Sequence, residues 1–419
     1  MTRATEPIAG VLGKVLGAGR PVGIVAYDGS RSGPPDAHVR LDIRSRKALS
    51  YLVTSPGELG LARAYVSGEL DLHGDLYTAL HHLSRAHIGD LTWAERMRLL
   101  RSLDPKALRL VEPPPEEAPA MLRRALTGLR HSKRRDARAI SHHYDVSNAF
   151  YEWVLGGSMA YTCAVFPHSD ATLDEAQYAK FDLVARKLGL TEGMRLLDVG
   201  CGWGGMVRHA AKYYGVQALG VTLSRQQAEW AQKAIADEGL SDLAEVRHGD
   251  YRDITEDGFD AVSSIGLTEH IGKRALPAYF DFLFAKLRPR GRLLNHCITR
   301  PTTTERARAA GFIDRYVFPD GELVGAGHLI SIMQNTGFEI RHEENLREHY
   351  AKTLAGWGAN LDAHWNEAVA DVGDGRARVW ALYMAGSRLG FEQNKIQLHQ
   401  VLGVRTADGD SGMPLRPTW

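Results

Sequence analysis

The sequence predicts an α/β fold, a mostly parallel sheet covered by helices on both faces and preceded by a smaller α/β domain. Three observations carry this. Short β-rich runs alternate with helical stretches from about residue 170 onward, one of those runs ends in a glycine-rich turn, and a proline-rich acidic stretch separates this region from a shorter mixed one before it. With 419 residues and 44% hydrophobic content, the chain can bury a core in each of two or three domains.

In chain order, Pro21 to Tyr27 and His38 to Ile43 are β-rich and Pro56 to Tyr65 has helical spacing, so residues 1–112 read as a small accessory α/β domain. The run Glu112 to Pro119 (EPPPEEAP) is stiff and polar and reads as a linker. Arg123, Arg124, Arg130, Lys133, Arg134, Arg135 and Arg138 then crowd a stretch that also carries Met121, Leu122, Leu126 and Leu129. Two readings of this basic helix stay open: a face lying on anionic lipid, with about 1 kcal/mol from each charge, or a solvated face beside the linker. Linker and basic helix occupy 113–140, and the main domain runs over 141–419.

Within the main domain, strands are expected over Arg195 to Val199, Ala218 to Leu223, Ala244 to His248, Ala261 to Ile265 and Arg292 to Cys297. Helices are expected over Gln226 to Glu238 and Ala275 to Leu287, and Glu339 to His342 with Ile396 to Val404 as a closing hairpin at one edge. Sheets of this kind bind ligands at the carboxyl ends of their strands.

Composition narrows the partners. Lys and Arg total 51 against 50 Asp and Glu, so no global field draws the protein to nucleic acid, and the basic stretch has no interleaved aromatic platform for stacking bases. The first twenty residues lack the apolar core of a signal peptide, and no run approaches the roughly 20 apolar residues of a spanning helix. Lipid, if handled, is met from the water side. Cys163, Cys201 and Cys297 form no CxxC pair, so neither a disulfide framework nor a structural metal site is expected, and a reducing cytoplasm fits.

The segment Leu196-Leu197-Asp198-Val199-Gly200-Cys201-Gly202-Trp203-Gly204-Gly205 is a strand, a glycine turn and a helix start, the arrangement that lets backbone approach a ligand closely. Its GxGxxG spacing alone is weak evidence for a dinucleotide. The next strand, however, ends Thr222-Leu223-Ser224 with Gln227 beyond it, where a dehydrogenase usually carries an acidic residue for the ribose. One strand later come Asp250 and Tyr251, a carboxylate suited to an adenine amino group, and Asp198 stands where a ligand ammonium group is held. These residues suit S-adenosylmethionine (SAM) better than NAD.

Further segments then resemble one family. His143-Tyr144-Asp145 with Asn148 and Phe150 resembles the HYD-x-x-N-x-F entry motif of the cyclopropane fatty acid and mycolic acid cyclopropane synthases. Tyr161-Thr162-Cys163-Ala164 is similar to their YSCA segment, LDVGCGWGG to their SAM loop, and Thr222, Ser224 and Gln227 to their T-x-S-x-x-Q. Glu269-His270-Ile271-Gly272 is similar to their EHVG, and Phe312 to Pro319 to their FI-x-x-Y-I-F-P. The resemblance spans about residues 140 to 405, and Tyr65 to Asp71 is similar to the N-terminal domain of the long members that act on phospholipids.

The resemblance implies a Rossmann-like SAM-dependent methyltransferase fold over 141–419 and a lipid-binding or accessory role for 1–112. Tyr161, Thr162, Asp198, Gly200, Gly202, Gly204, Thr222, Ser224, Gln227, Asp250 and Tyr251 would hold SAM. It also implies attack by an acyl double bond on the SAM methyl, and a bicarbonate ion that takes the departing proton. Cys163, Glu269, His296, Ile298 through its backbone and Tyr350 would hold this anion, with the histidine suited to relay the proton. Tyr316 and Phe318 would be aromatic walls that keep water from the cation. Implied partners are unsaturated phospholipid acyl chains, the inner face of the cell membrane as a peripheral surface, a second copy in a homodimer, and an NADPH-dependent reductase acting on the product.

Taken singly, each residue has an ordinary reading: Cys163 as a small buried apolar group, Glu269 and His270 as helix caps, His296 as a core histidine and Tyr350 as a half-buried tyrosine. Their joint occurrence at family positions favours chemistry. Thr162, Thr268 and Cys297 depart from the usual family residues, and the last two are expected beside the anion. Two products are open, a cyclopropane and a methylene branch; the altered pocket positions and the long N-terminal domain lean toward the 10-methylene precursor of 10-methyl chains that actinobacterial members form. The rival classes are a small-molecule O- or N-methyltransferase and a non-catalytic lipid-binding protein.

Overall fold

The computed structural model describes residues 7–16, 21–84, 109–118, 146–304, 311–318 and 321–419. The basic stretch at 121–138, the His143-Tyr144-Asp145 motif and Pro319 lie outside the described residues. The described residues divide into two compact units.

The first unit draws on Met1–Pro119, Ala310–Val317 and Trp365–Leu389. Its four-stranded sheet has the order β2-β1-β3-β4, from Arg31–Ser32, Val22–Ala26, Val39–Ile43 and Leu70–His73. β1 and β3 pair in parallel, and the two outer strands are antiparallel to their neighbours. Val22, Ile24, Val39, Leu41 and Ile43 fill the core against Ala48 and Tyr51 of the helix Arg46–Thr54 and Ala64 of the helix Glu58–Val66. Ser45 caps the first of these helices by accepting from the backbone N–H groups of Lys47 and Ala48.

Residues 113–118 belong to this unit, which corrects their reading as a linker. The Glu117 side chain is fully buried and accepts a two-pronged bond from Arg63, at 2.6 and 2.8 Å. Arg315 Nε at 2.9 Å and the Tyr316 hydroxyl at 3.1 Å also donate to it. The Tyr51 hydroxyl holds the Glu112 carbonyl at 2.6 Å. A polar, proline-rich stretch can be packed when its one buried charge meets opposite charges from elsewhere in the chain. The assignment of all of 141–419 to one domain is corrected likewise. Arg378, on the helix Asp374–Glu392, pairs with Asp71 at 3.1 Å and lies over the Tyr65 ring, while Arg388 lies 3.6 Å from the Tyr77 ring centroid.

The second unit draws on Ala120–Ala309, Phe318–His364 and Gly390–Trp419. Its seven-stranded sheet has the order β10-β11-β9-β8-β5-β6-β7. The strands are β5 Arg195–Val199, β6 Gln217–Thr222, β7 Ala244–His248, β8 Phe259–Ile265, β9 Leu287–Thr299, β10 Glu339–Asn345 and β11 Gln397–Val404. β5 to β9 are parallel, and β11 lies antiparallel between β9 and β10. The expected closing pair forms, but not as a hairpin. β10 runs in the direction of β9, so the chain passes through the helices Arg347–Ala363, Trp365–Val372 and Asp374–Glu392 before β11 enters between them.

Strand side chains alternate, so each strand feeds two cores. Leu196, Ala218, Ala261, Leu294 and Leu402 pack on one face with Val184 and Leu188 of the helix Leu173–Leu188 and Val207 and Ala210 of the helix Gly205–Tyr214. Leu197, Val199, Val262, Leu293, Cys297 and Val401 pack on the other with Phe280 and Leu283 of Leu276–Lys286 and Leu329 and Met333 of Ala326–Thr336. The helix Leu173–Leu188 opens with a reciprocal cap between Thr172 and Glu175 and closes at Gly189, whose φ is 68°.

Candidate active site

The glycine turn leaves β5, an interior strand of the sheet next to the central β8. Gly200 and Cys201 donate their backbone N–H groups to the Val221 carbonyl, and Gly204, at φ 75°, starts the next helix from the left-handed region. At Gly202, with φ 55°, a side chain would meet no atom within 4 Å, so open space lies beside the turn. The Trp203 indole donates to Asn148 Oδ1 at 3.0 Å, which ties the described part of the entry motif to this turn. Ser147 caps the helix Asn148–Leu155 and so places that asparagine.

Asp198 is buried at the end of β5 and accepts from the Ser263 hydroxyl at 2.6 Å. Burial raises its pKa to about 6, against the opposing effects of that bond and of the Lys180 charge. A buried carboxylate beside open space suits a positively charged ligand group. Thr222 Oγ1 donates to Gln227 Oε1 at 2.7 Å, which orients the Gln227 amide, and Ser224 caps the helix Arg225–Asp237. Asp250 follows β7 and accepts from the Arg252 backbone N–H at 3.0 Å and from Arg252 Nε at 2.7 Å. The Tyr251 ring lies 5.2 Å from those of Tyr279 and Phe282.

The residues expected around an anion are linked through one end of the sheet. The Ile298 N–H donates to Glu269 Oε1 at 3.4 Å, and the His296 carbonyl accepts from Gly266 at 2.8 Å, three residues before Glu269. Ile298 pairs with Leu398, whose carbonyl holds the Leu346 N–H at 2.8 Å. The Leu346 carbonyl in turn accepts from the Tyr350 N–H at 3.2 Å and from the Cys163 thiol at 3.8 Å. The Tyr350 ring packs 4.5 Å from that of Phe391.

Two buried atoms in this group, Glu269 Oε2 and His296 Nε2, have no hydrogen-bond partner among the described residues. Burial raises the Glu269 pKa to about 7, so near neutrality part of the population carries a proton on the carboxyl group. Burial, with the Lys180 and Lys187 charges adding to it, depresses the His296 pKa well below the ordinary imidazole value. Burial also raises the Cys163 pKa, so the residue is a thiol that donates to the Ala164 carbonyl at 3.2 Å. A carboxyl group that is partly protonated near neutrality and a neutral imidazole form a donor set that fits a small acceptor anion, while the Cys163 proton is taken by backbone carbonyls.

The aromatic candidates separate. Phe318 lies in the second unit, 5.2 Å from the His270 ring, whereas Tyr316 lies in the first unit, bonded to Glu117 and stacked on Phe312. Thr268 and Cys297 share a buried polar contact through Asn295. The Thr268 hydroxyl donates to Asn295 Oδ1, and Asn295 Nδ2 lies 3.2 Å from Cys297 Sγ. Strand alternation puts Asn295 and Cys297 on the face of β9 opposite His296, with Cys297 within electrostatic reach of Glu269.

Residues 131–401 match the family described as mycolic acid cyclopropane synthetase. The chain belongs to this family. Its relatives include "Probable fatty acid methyltransferase Rv3720" of Mycobacterium tuberculosis, 56% identical over 405 residues and 95% of each chain. Another is a "Probable fatty acid methyltransferase" of Pseudomonas putida, 40% identical over 403 residues and 94% of each chain. The solved cyclopropane synthase MmaA2 of Mycobacterium tuberculosis is 33% identical and superposes with a TM-score of 0.61 over 65% of this chain and 98% of its own. Cyclopropane synthase CmaA1, solved with S-adenosylhomocysteine (SAH), gives the same TM-score at 32% identity over 64% of this chain and 98% of its own. The chain is thus a SAM-dependent methyltransferase of the cyclopropane synthetase family.

Within that family fold, sequence reasoning passed over four polar residues of the buried layer. On the helix Leu173–Leu188, Gln177 donates to the Thr162 carbonyl at 2.8 Å, and Lys180 donates to Thr162 Oγ1 at 2.9 Å. Both side chains are fully buried, and Lys180 also lies 3.6 Å from the Phe181 ring centroid. Together they hold the segment that carries Tyr161 to Cys163. Lys187 and Gln400 are the other two. For Gln177, Lys180 and Lys187 the available signal was polar residues at helical spacing on an apolar stripe, since a lysine there is almost never buried without a partner; Gln400, on a strand, carried no such signal.

Proposed function

We propose that the protein transfers the methyl group of SAM to the double bond of an unsaturated fatty acyl chain of a phospholipid and leaves a methylene branch. End-to-end similarity to relatives named as fatty acid methyltransferases, at 95% and 94% of both chains, supports this reading. Cyclopropane mycolic acid synthase 1, in contrast, matches over 62% of the chain. SAM when bound supplies an electrophilic methyl on a sulfonium.

The alkene π pair forms the new carbon–carbon bond, leaving positive charge on the neighbouring chain carbon. A hydride then shifts from the methylated carbon to that cation, and a proton leaves the new methyl as its C–H pair closes the C=CH2 bond. Asp198 would meet the ligand ammonium group, and Thr222, Gln227 and Asp250 its nucleoside. Bicarbonate when bound would supply the base; Glu269, His296, Cys163, the Ile298 backbone and Tyr350 would hold it. Phe318 would help exclude water from the cation.

A second reading, ring closure to a cyclopropane, is favoured by the similarity to MmaA2. It shares every step up to the cation and differs in closing a ring as the proton is lost. No described helix is long and apolar enough to cross a membrane. The acyl substrate therefore suggests a peripheral protein on the cytoplasmic face, and the methylene product would suit a separate NADPH-dependent reductase.

Lipids from a host expressing this chain alone should gain one carbon by mass spectrometry and show vinylidene protons by NMR. Cyclopropane protons would replace the first reading with the second, and an unchanged profile in the presence of SAM would sink both. Glu269→Gln should abolish most of the product. Intact turnover in that variant would favour O- or N-methylation of a small molecule.

A further inference from the structure

Three neighbouring strands place Glu344, Gln400 and His296 in one row, with Gln400 paired to Glu344 across β10 and to His296 across β9. Lys187, on the helix Leu173–Leu188, is fully buried above this row, bonded to the half-exposed Glu344 carboxylate and, at 2.7 Å, to Gln400 Oε1. An ammonium group only donates, so the carbonyl end of the Gln400 amide faces Lys187. The NH2 end therefore faces His296, and Gln400 Nε2 lies 3.1 Å from His296 Nδ1. An amide NH2 also only donates, so Nδ1 accepts. A neutral imidazole carries one proton, which leaves it on Nε2, the buried nitrogen with no partner among the described residues.

We propose that Lys187 and Gln400 are positioning residues that fix His296 in its Nε2–H tautomer, making it a donor to the site's anion. This rests on the anion reading of the site. It revises the role expected of His296: with Nδ1 engaged by the amide and Nε2 protonated, the ring orients the anion and does not take the proton. Gln400 cannot serve as a proton wire to the exposed edge, because its amide holds its protons. Glu344 has a separate task, neutralising the lysine that pins the amide.

Histidine-selective ¹⁵N NMR of the full chain, with His296 assigned by loss of its signal in His296→Asn, should show protonated Nε2 and bare Nδ1 from pH 6 to 8. In Gln400→Glu, a carboxylate would accept from Nδ1, so the tautomer should reverse. kcat should then fall about 100-fold while SAM affinity by calorimetry stays within about twofold. Lys187→Met frees the amide to rotate and should give mixed tautomers with an intermediate kcat. A protonated Nδ1 in the wild type, or an unchanged tautomer in both variants, would overturn the proposal, and the wild-type spectrum decides even if a variant fails to fold. Bicarbonate depletion and re-addition on the wild type tests the underlying reading separately. No response there removes the anion, whatever the tautomer.

Discussion

Burial does the electrostatic work at single residues in this site. Glu269 has an ordinary pKa of 4.5 and a folded value of about 7, so the folded protein holds that proton more tightly than the unfolded chain does. The resulting stability is fully present below pH 4.5 and is lost as pH rises to about 7. Without bicarbonate, Glu269→Gln should unfold at higher denaturant than the wild type, by a margin that grows from pH 4.5 to 7 and then levels at roughly 3 kcal/mol. A margin independent of pH would mean that the carboxyl group is solvated. Cys163 and Glu269 were legible as candidates because each stands in a local string, YTCA and EHIG, whereas His296 and Tyr350 were named only through the family resemblance. Neither route gave the tautomer of His296, which depends on Gln400 more than a hundred residues away.

At the scale of an element, the helix Leu173–Leu188 sets the chemistry of the layer beneath it. It buries two lysines on its inner face, and burial drops the Lys180 pKa to about 7. The Lys180 charge acts against the rise in the Asp198 pKa. Lys180→Met keeps most of the apolar stem and removes that charge, so the Asp198 pKa should rise further. SAM affinity in the wild type should weaken as pH falls through about 6, where Asp198 gains a proton and no longer attracts a cation. In Lys180→Met the loss should begin at a higher pH, with affinity near pH 7 about tenfold weaker. Superimposable calorimetric pH profiles would show that Lys180 does not act on Asp198.

The elements themselves were largely legible in the sequence. Short β-rich runs bounded by glycine and polar turns coincide with β5 to β9 to within a few residues, apart from the early start of β9. The path between β10 and β11 was not legible, since periodicity reports which segments are strands and not which strand enters between two others.

Across the whole molecule, the first unit depends on residues distant in sequence. Arg63 and Arg315 reach Glu117 from 54 and 198 residues away, which no local pattern in EPPPEEAP reveals. Removing this carboxylate leaves two arginines buried around a neutral group. Glu117→Gln should therefore destabilise the first unit by about 3 kcal/mol or more, seen as an earlier unfolding transition with the second unit's transition unmoved. A single unshifted transition would show that the arginines reach water.

The same topology sets an order of assembly. Arg378 and Arg388, which seat on Asp71, Tyr65 and Tyr77, leave the ribosome some three hundred residues after their partners. The unit that begins the polypeptide thus stays incomplete during most of translation. A nascent chain halted near residue 360 should expose protease-sensitive N-terminal segments that the released protein protects.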